Sequence, residues 1–217
     1  MQITHLGHAC LLLEYPAARL LIDPGSFSRY DGVTGLDAVL VTHQHADHVE
    51  PDKLGPLLAA NPAAALFADP DTVAVLAEHG ITATPTRDAE AFSVGSVTVT
   101  PAGAQHALIH EYLPRIANLG LLFAAAGEPS VFHPGDALDA EPAGDVDVLA
   151  VPLSAPWAAV RETVAFVRRI EPKVIVPIHD ALLSQVGRGA YLHHVATFGL
   201  DGGVEVRDLS DGAAALF

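Results

Sequence analysis

Ten runs of five to seven residues, apolar or alternating, recur along the chain: QITHL, ACLLLEY, RLLID, DAVLVT, ALFAD, SVTVTP, LGLLFAA, SVFHPG, DVLAVPL and KVIVPI. Bounded by Gly, Pro and Asp, they read as buried or half-buried strands. Helical patterns fill some of the gaps. DPDTVAVLAEHG opens on Asp and Pro and closes on Gly80, as a capped helix does. In PWAAVRETVAFVRRIEP, Trp157, Val160, Val164, Val167 and Ile170 share one face and Arg161, Glu162, Arg168 and Arg169 the other. A helix starting at Trp157 and lying against a sheet is expected there. RGAYLHHVATFG is expected to be helical up to Gly199, and VEPDKLGPLLAANP to be helical although Gly55 and Pro56 interrupt it. Hairpins come first and strands alternating with helices follow, which predicts two sheets face to face with helices outside, an α/β architecture. With 217 residues and no linker-like segment or internal repeat, residues 1–217 are expected to form a single domain.

Eleven basic against 26 acidic residues give a net charge of −15, which repels phosphate backbones and anionic membranes. Neither nucleic acid nor a membrane is an expected partner. Cys10 is the single cysteine, which excludes an intramolecular disulfide and fits a reducing compartment. The opening MQITHLGHACLLLEY has no basic leader, and its ACLLL run is far shorter than the ~20 residues a spanning helix needs. A soluble cytoplasmic protein is expected, and a homo-oligomer is compatible with the sequence.

VTHQHADHVEP, residues 41–51, places three histidines and an aspartate within six positions directly after an apolar strand. A lone loop histidine is usually a solvated surface residue, but four donors at one strand end favour a metal site. His43 and His45 lie two apart and point to the same side if the strand geometry persists, so they can clamp one ion. Asp47 and His48 follow, where a change of backbone direction could turn them toward a second ion, at the ~3.5–4 Å separation of two-metal hydrolases. Imidazole with carboxylate suits zinc, and also manganese or iron. Further donors must come from distant loops, and His106, Asp136 and His179 each follow a strand.

THQHADH matches an H-x-H-x-D-H motif, and with His106, Asp136 and His179 in that order the chain resembles the metallo-β-lactamase-fold hydrolases. The opening ITHLGHACLLLE…RLLIDPG looks like the branch that contains ascorbate-6-phosphate lactonase. The resemblance implies an αββα sandwich, two facing mixed β-sheets with helices on the outer faces, and two divalent ions at one edge of the sheets. It implies that His43, His45 and His106 hold one ion, that Asp47, His48 and His179 hold the other, and that Asp136 bridges them. The ions would then supply a hydroxide nucleophile and polarise the substrate oxygen, while Asp47, besides being a ligand, orients the nucleophile.

Other residues carry two readings each. Asp23 in LLIDPG either supports a ligand histidine through its other ring nitrogen or only forms a turn. His8 is expected near the site mouth, as pocket lining or as a structural hydrogen bonder. His133 faces the pocket or merely flanks Asp136. His110, Glu111 and Tyr112 belong to a substrate-facing loop or to an ordinary connection. Asp180 is expected to cap a turn, Cys10 to be buried and inert, and Trp157 to serve core packing or a subunit contact. The function that follows is a metal-dependent hydrolase of a small ester, lactone or phosphodiester. A nuclease of the same fold and an iron-dependent oxidoreductase are the alternatives.

Overall fold

The computed structural model describes residues 1–217 as two seven-stranded sheets and four helices. The first sheet holds β1 (Gln2–Gly7), β2 (Cys10–Tyr15), β3 (Ala18–Ile22), β4 (Ala38–Val41), β5 (Ala65–Ala68), β6 (Thr84–Pro85) and β14 (Ala215–Leu216). The second holds β7 (Phe92–Val94), β8 (Val97–Ala102), β9 (Gly120–Ala124), β10 (Val131–His133), β11 (Val148–Pro152), β12 (Val174–Ile178) and β13 (Glu205–Val206). Their orders are β14-β1-β2-β3-β4-β5-β6 and β13-β12-β11-β10-β9-β8-β7. Each sheet is antiparallel where hairpins connect its strands, through β1–β3 and β7–β10, and parallel from β3 to β6 and from β10 to β13.

Why the strands read as nearly continuous apolar runs is visible in how their side chains divide. In β4, Ala38 and Leu40 enter a core of 21 buried residues between the sheets, whereas Val39 and Val41 face the outer layer. In β11, Val148 and Ala150 point inward and Leu149 and Val151 outward. Both faces of these strands are covered, so period-two alternation of polar and apolar residues is lost. The outer layers are α1 (Pro51–Ala60) and α2 (Pro70–Glu78), whose Leu54, Leu57 and Leu76 cover the first sheet. On the second sheet they are α3 (Val160–Ile170) and α4 (Gln185–Phe198), through Phe166, Val167 and Val195. The sandwich is therefore αββα, and no helix is long and apolar enough to cross a membrane.

Two element boundaries differ from the sequence reading. α3 begins at Val160, three residues after Trp157, because Glu162 folds back to accept the Ala159 N–H (2.9 Å) and starts the helix there. α4 begins earlier than expected, at Gln185, where Ser184 Oγ accepts the Gly187 N–H (3.1 Å). α1 tolerates Pro56. The short strands β6, β13 and β14 have only two residues each, too few to leave a hydrophobic pattern.

Candidate metal centre

The loops leaving β3, β4, β10 and β12 converge at one edge of the two sheets with the segment after β8, and they bring Asp23, His43–His48, Asp136, His179 and His106 together. Hydrogen bonds sew the two sheets to each other there. Leu119 N–H bonds Thr42 O (3.0 Å), His179 N–H bonds His8 O (2.8 Å), and Ala107 N–H bonds Asp136 O (2.8 Å) across loops of the second sheet. Five non-glycine residues have left-handed backbone, and three of them, His8 (φ 51°), Asp23 (φ 48°) and His179 (φ 56°), stand at this edge. Such strain persists only where its surroundings enforce it.

Two groups of donor atoms form, each with its atoms within 4.8 Å of one another: His43, His45, His106 and Asp136, and His8, Asp47, His48 and His179. In the first, His43 Nε2 faces His45 Nδ1 at 3.2 Å. Asp136 reaches both groups. Its Oδ2 lies 3.3 Å from His106 Nε2 and 3.2 Å from His179 Nε2, and its Oδ1 lies 3.0 Å from His48 Nε2. Asp47 Oδ2 is 3.5 Å from His179 Nε2 and 4.0 Å from His48 Nε2.

What lies behind the rings decides which nitrogen is free. His48 Nδ1–H donates to Asp23 Oδ2 (2.7 Å), His179 Nδ1–H to Ser154 O (2.8 Å) and His106 Nδ1–H to Ala107 O (2.6 Å). Thr42 Oγ1 gives its proton to Asp23 Oδ2 (2.8 Å), so at 3.1 Å it accepts from His43 Nδ1–H. In the neutral form of each ring, these bonds leave all four Nε2 atoms with lone pairs turned inward. His48 Nε2, His106 Nε2, His179 Nε2 and Asp136 Oδ1 are buried without a hydrogen-bond partner. Buried acceptors without donors are costly, and divalent cations seated in the two groups would satisfy all of them. The donor set therefore fits metal.

The electrostatics differ between the groups. Burial pulls His43 well below the ordinary imidazole pKa and lowers His45. Burial acts the same way on His48, but Asp136 and Asp23 overcome it and push the ring well above the ordinary value. His179, also opposed by burial, is raised to about 9 by hydrogen bonds to Asp136 and Asp47. Although burial disfavours their charged forms, both carboxylates are held well below the usual range. For Asp47 the hydrogen bonds come from His179 and His8, and for Asp136 the largest pull is the charge of His48.

The profile of the beta-lactamase superfamily domain matches residues 2–179. Protein Rv0786c of Mycobacterium tuberculosis is 44% identical over 196 residues, covering 88% of this chain and 89% of its own. A UPF0173 metal-dependent hydrolase of Methylobacterium nodulans is 31% identical over 205 residues, covering 82% and 84%. The chain belongs to the metallo-β-lactamase-fold hydrolases. Among solved structures, Igni18, a metallo hydrolase from the archaeon Ignicoccus hospitalis, superposes with a TM-score of 0.77 over all of this chain and 97% of its own, at 19% identity. This hydrolase is thus metal-dependent by family as well as by donor set.

Of the residues singled out in the sequence, His43, His45, Asp47, His48, His106, Asp136 and His179 all meet in the hydrolase's two donor groups. Asp23 is fully buried behind them and accepts Thr42 N–H (2.8 Å) besides the Thr42 hydroxyl and His48. Its carboxylate thus backs the His48 ring besides shaping the turn. His8 is buried and joins the second group. Its Nδ1 accepts Ala181 N–H (3.3 Å), which leaves Nε2–H to donate to Asp47 Oδ2 (3.0 Å). It also lines a cleft of about 530 Å³ together with Phe27 and Arg29. His133 lies beside Asp23, its Nε2 3.8 Å from Asp23 Oδ2. Its ring is fully buried, with Nε2 bonded to Ala9 O (2.8 Å) and Nδ1 accepting Gly135 N–H (3.1 Å). Asp180 does not cap with its side chain but pairs with Arg188 (2.6 Å). His110 accepts Tyr112 N–H (3.1 Å), while Ala107, Leu108 and Arg115 of the same loop form a wall of a cleft of about 570 Å³.

Four contributors escaped the sequence reading. Thr42 relays Asp23 to His43; a polar residue closing an apolar strand was its only signal. Asn118 accepts Asp136 N–H at Oδ1 (2.9 Å) and donates to Pro134 O (3.0 Å). Gly25 lets the Asp23 loop touch the ligand loop, since a Cβ there would sit 1.9 Å from Asp47 O. Trp157, expected in the core or at a subunit contact, instead donates its indole N–H to Asp136 Oδ2 (2.9 Å). An indole N–H turned inward from a half-buried ring takes an acceptor, and that requirement was the missed signal.

Proposed function

We propose that the hydrolase carries a dinuclear centre and cleaves a small ester, lactone or phosphodiester, with residues 1–217 acting as one domain. One observation carries this reading: four imidazole Nε2 lone pairs and the Asp136 carboxylate converge from both sheets, while the opposite ring nitrogens are committed to Asp23, Thr42, Ala107 O and Ser154 O. His43, His45 and His106 would hold one ion, Asp47, His48 and His179 the other, and Asp136 both. When bound, such ions supply a water acidified to a pKa of ~7 and an electrophile for the substrate's carbonyl or phosphoryl oxygen. Zinc suits these nitrogen and oxygen donors, as do manganese and iron.

The chain's own residues supply position and proton handling. Asp47 is the more open carboxylate, 24% exposed against 3% for Asp136, so it is the one that can reach both the incoming water and the leaving group. His8 Nε2–H holds Asp47 Oδ2 in place and keeps that carboxylate ionised, an acceptor positioned to orient the incoming water. The cleft of about 570 Å³ beside Asp136 is walled by Leu108, Leu138, Trp157 and Phe166, with Arg115 at its side, and suits an apolar substituent of a small substrate. A chain of net charge −15 disfavours a nucleic acid there. Residence in a reducing cytoplasm fits the one buried thiol, Cys10.

The test is metal analysis of the purified chain joined to a panel of lactones, esters and phosphodiesters. Two ions per chain are expected, with at least one substrate class hydrolysed and ~10²-fold or more of that rate lost in His106→Ala. Equal hydrolysis by metal-stripped protein or by His106→Ala would sink the mechanism.

A further inference from the structure

The chain has one tryptophan, and neither its packing nor the ligand set of the proposed centre accounts for where its one polar atom goes. We infer that Trp157 is a positioning residue for the metal centre: its indole N–H fixes Asp136 Oδ2 at the point shared by the two donor groups. This rests on the dinuclear reading above.

Asp136 Oδ2 is the oxygen that stands between the groups, 3.3 Å from His106 Nε2 and 3.2 Å from His179 Nε2, whereas Oδ1 turns to His48 Nε2 at 3.0 Å. A carboxylate can bridge through one oxygen or swing so that both oxygens face one ion. The indole N–H at 2.9 Å from Oδ2 occupies one lone-pair direction of that oxygen and opposes the swing. The backbone side of Asp136 is held by Asn118 Oδ1 (2.9 Å), so the carboxylate is gripped at both ends. The indole also spans the two groups laterally. Its ring centre lies 5.8 Å from that of His106 and 6.1 Å from that of His179, edge-on to both, with interplanar angles of 79° and 68°. The two residues between Trp157 and α3, Ala158 and Ala159, place the indole here instead of on the sheet-facing stripe of the helix.

Because there is only one indole, its N–H gives a single isolated cross-peak in a ¹⁵N–¹H correlation spectrum of the full chain. Titrating metal-stripped protein with Zn²⁺, we expect that peak to shift and to saturate at the stoichiometry found by metal analysis. In Trp157→Phe, which keeps an aromatic wall but lacks the donor, Zn²⁺ affinity measured against a chelator is expected to fall about 10- to 100-fold, with the melting temperature of the metal-stripped protein nearly unchanged. An indole peak that stays put while Zn²⁺ binds overturns the inference, and so does a folded Trp157→Phe that binds Zn²⁺ as tightly as the unaltered chain. The titration of the unaltered chain decides the matter even if the variant does not fold. Absence of Zn²⁺ binding by the unaltered chain is a separate result: it removes the metal centre itself, and this inference with it.

Discussion

The two donor groups look alike in outline, since each draws residues from both sheets, yet they are supported differently. His43, His45 and His106 are backed by uncharged groups, the Thr42 hydroxyl and the Ala107 carbonyl, with Asp136 at their edge. The other group contains the Asp47 carboxylate, and the fully buried Asp23 stands behind its His48. His8 adds a further hydrogen bond to Asp47. Asp136 reaches both groups, so what sets the second apart is one more carboxylate among its donors, Asp47, and another behind them, Asp23. A cation bound by the first replaces little, whereas one bound by the second must compete with whatever the carboxylates already attract.

The largest break in this contrast is Asp23→Ala. It strips the acceptor from three buried donors, His48 Nδ1–H, Thr42 N–H and Thr42 Oγ1–H. Breaking a buried pair of this kind costs about 3–5 kcal/mol, which a denaturant midpoint will read. Metal content should fall in the same variant, the Asp47, His48 and His179 group losing its ion before the other does. Retention of two ions and of the parent midpoint would contradict the view that the second group depends on charge behind it.

Asn118→Ala is the next test, aimed at the residue both groups share. It removes the acceptor of Asp136 N–H and the donor to Pro134 O, both buried, at about 1–3 kcal/mol. Since Asp136 touches both groups, the two ions should weaken together, in contrast to Asp23→Ala. Calorimetric metal titration distinguishes a joint loss from a selective one.

How legible all this was in the sequence depends on how local each part is. His43, His45, Asp47 and His48 sit on one loop, where spacing alone announces them. His106, Asp136 and His179 are scattered over more than seventy residues; their positions at strand exits make them candidates, and the family's order gives each its place in the ligand set. The αββα layering followed from short apolar strands and amphipathic helices. What stayed hidden was contact made by the tertiary fold: Asn118 lies in a featureless NLG stretch, and Gly25 matters because of the Asp47 backbone pressed against it. His133, for which the sequence allowed either the pocket or a flanking role, turns its nitrogens to backbone groups of two loops, Ala9 O and Gly135 N–H, a pairing that only the tertiary fold reveals.

The smallest effect, and the most direct measure of the contrast, is the pH dependence of metal uptake. His179 is raised to about 9 and His48 is raised well above its ordinary value, against burial, by Asp136 together with Asp47 or Asp23. A raised folded pKa means that protonated His179 stabilises the metal-stripped chain fully below pH ~6.5, the unfolded value, and that this contribution fades as pH rises toward about 9. The same proton must leave before Nε2 can bind metal, so affinity at this group should rise about tenfold per pH unit for each proton displaced. His43 and His45 are lowered by burial and carry no proton to displace at neutral pH. Isothermal titration in buffers of different ionisation enthalpy, between pH 6.5 and 8.5, should therefore separate one uptake step with proton release from one with almost none. Two steps with equal proton release would show that the groups are electrostatically equivalent and that the carboxylates behind the second group do not set its protonation.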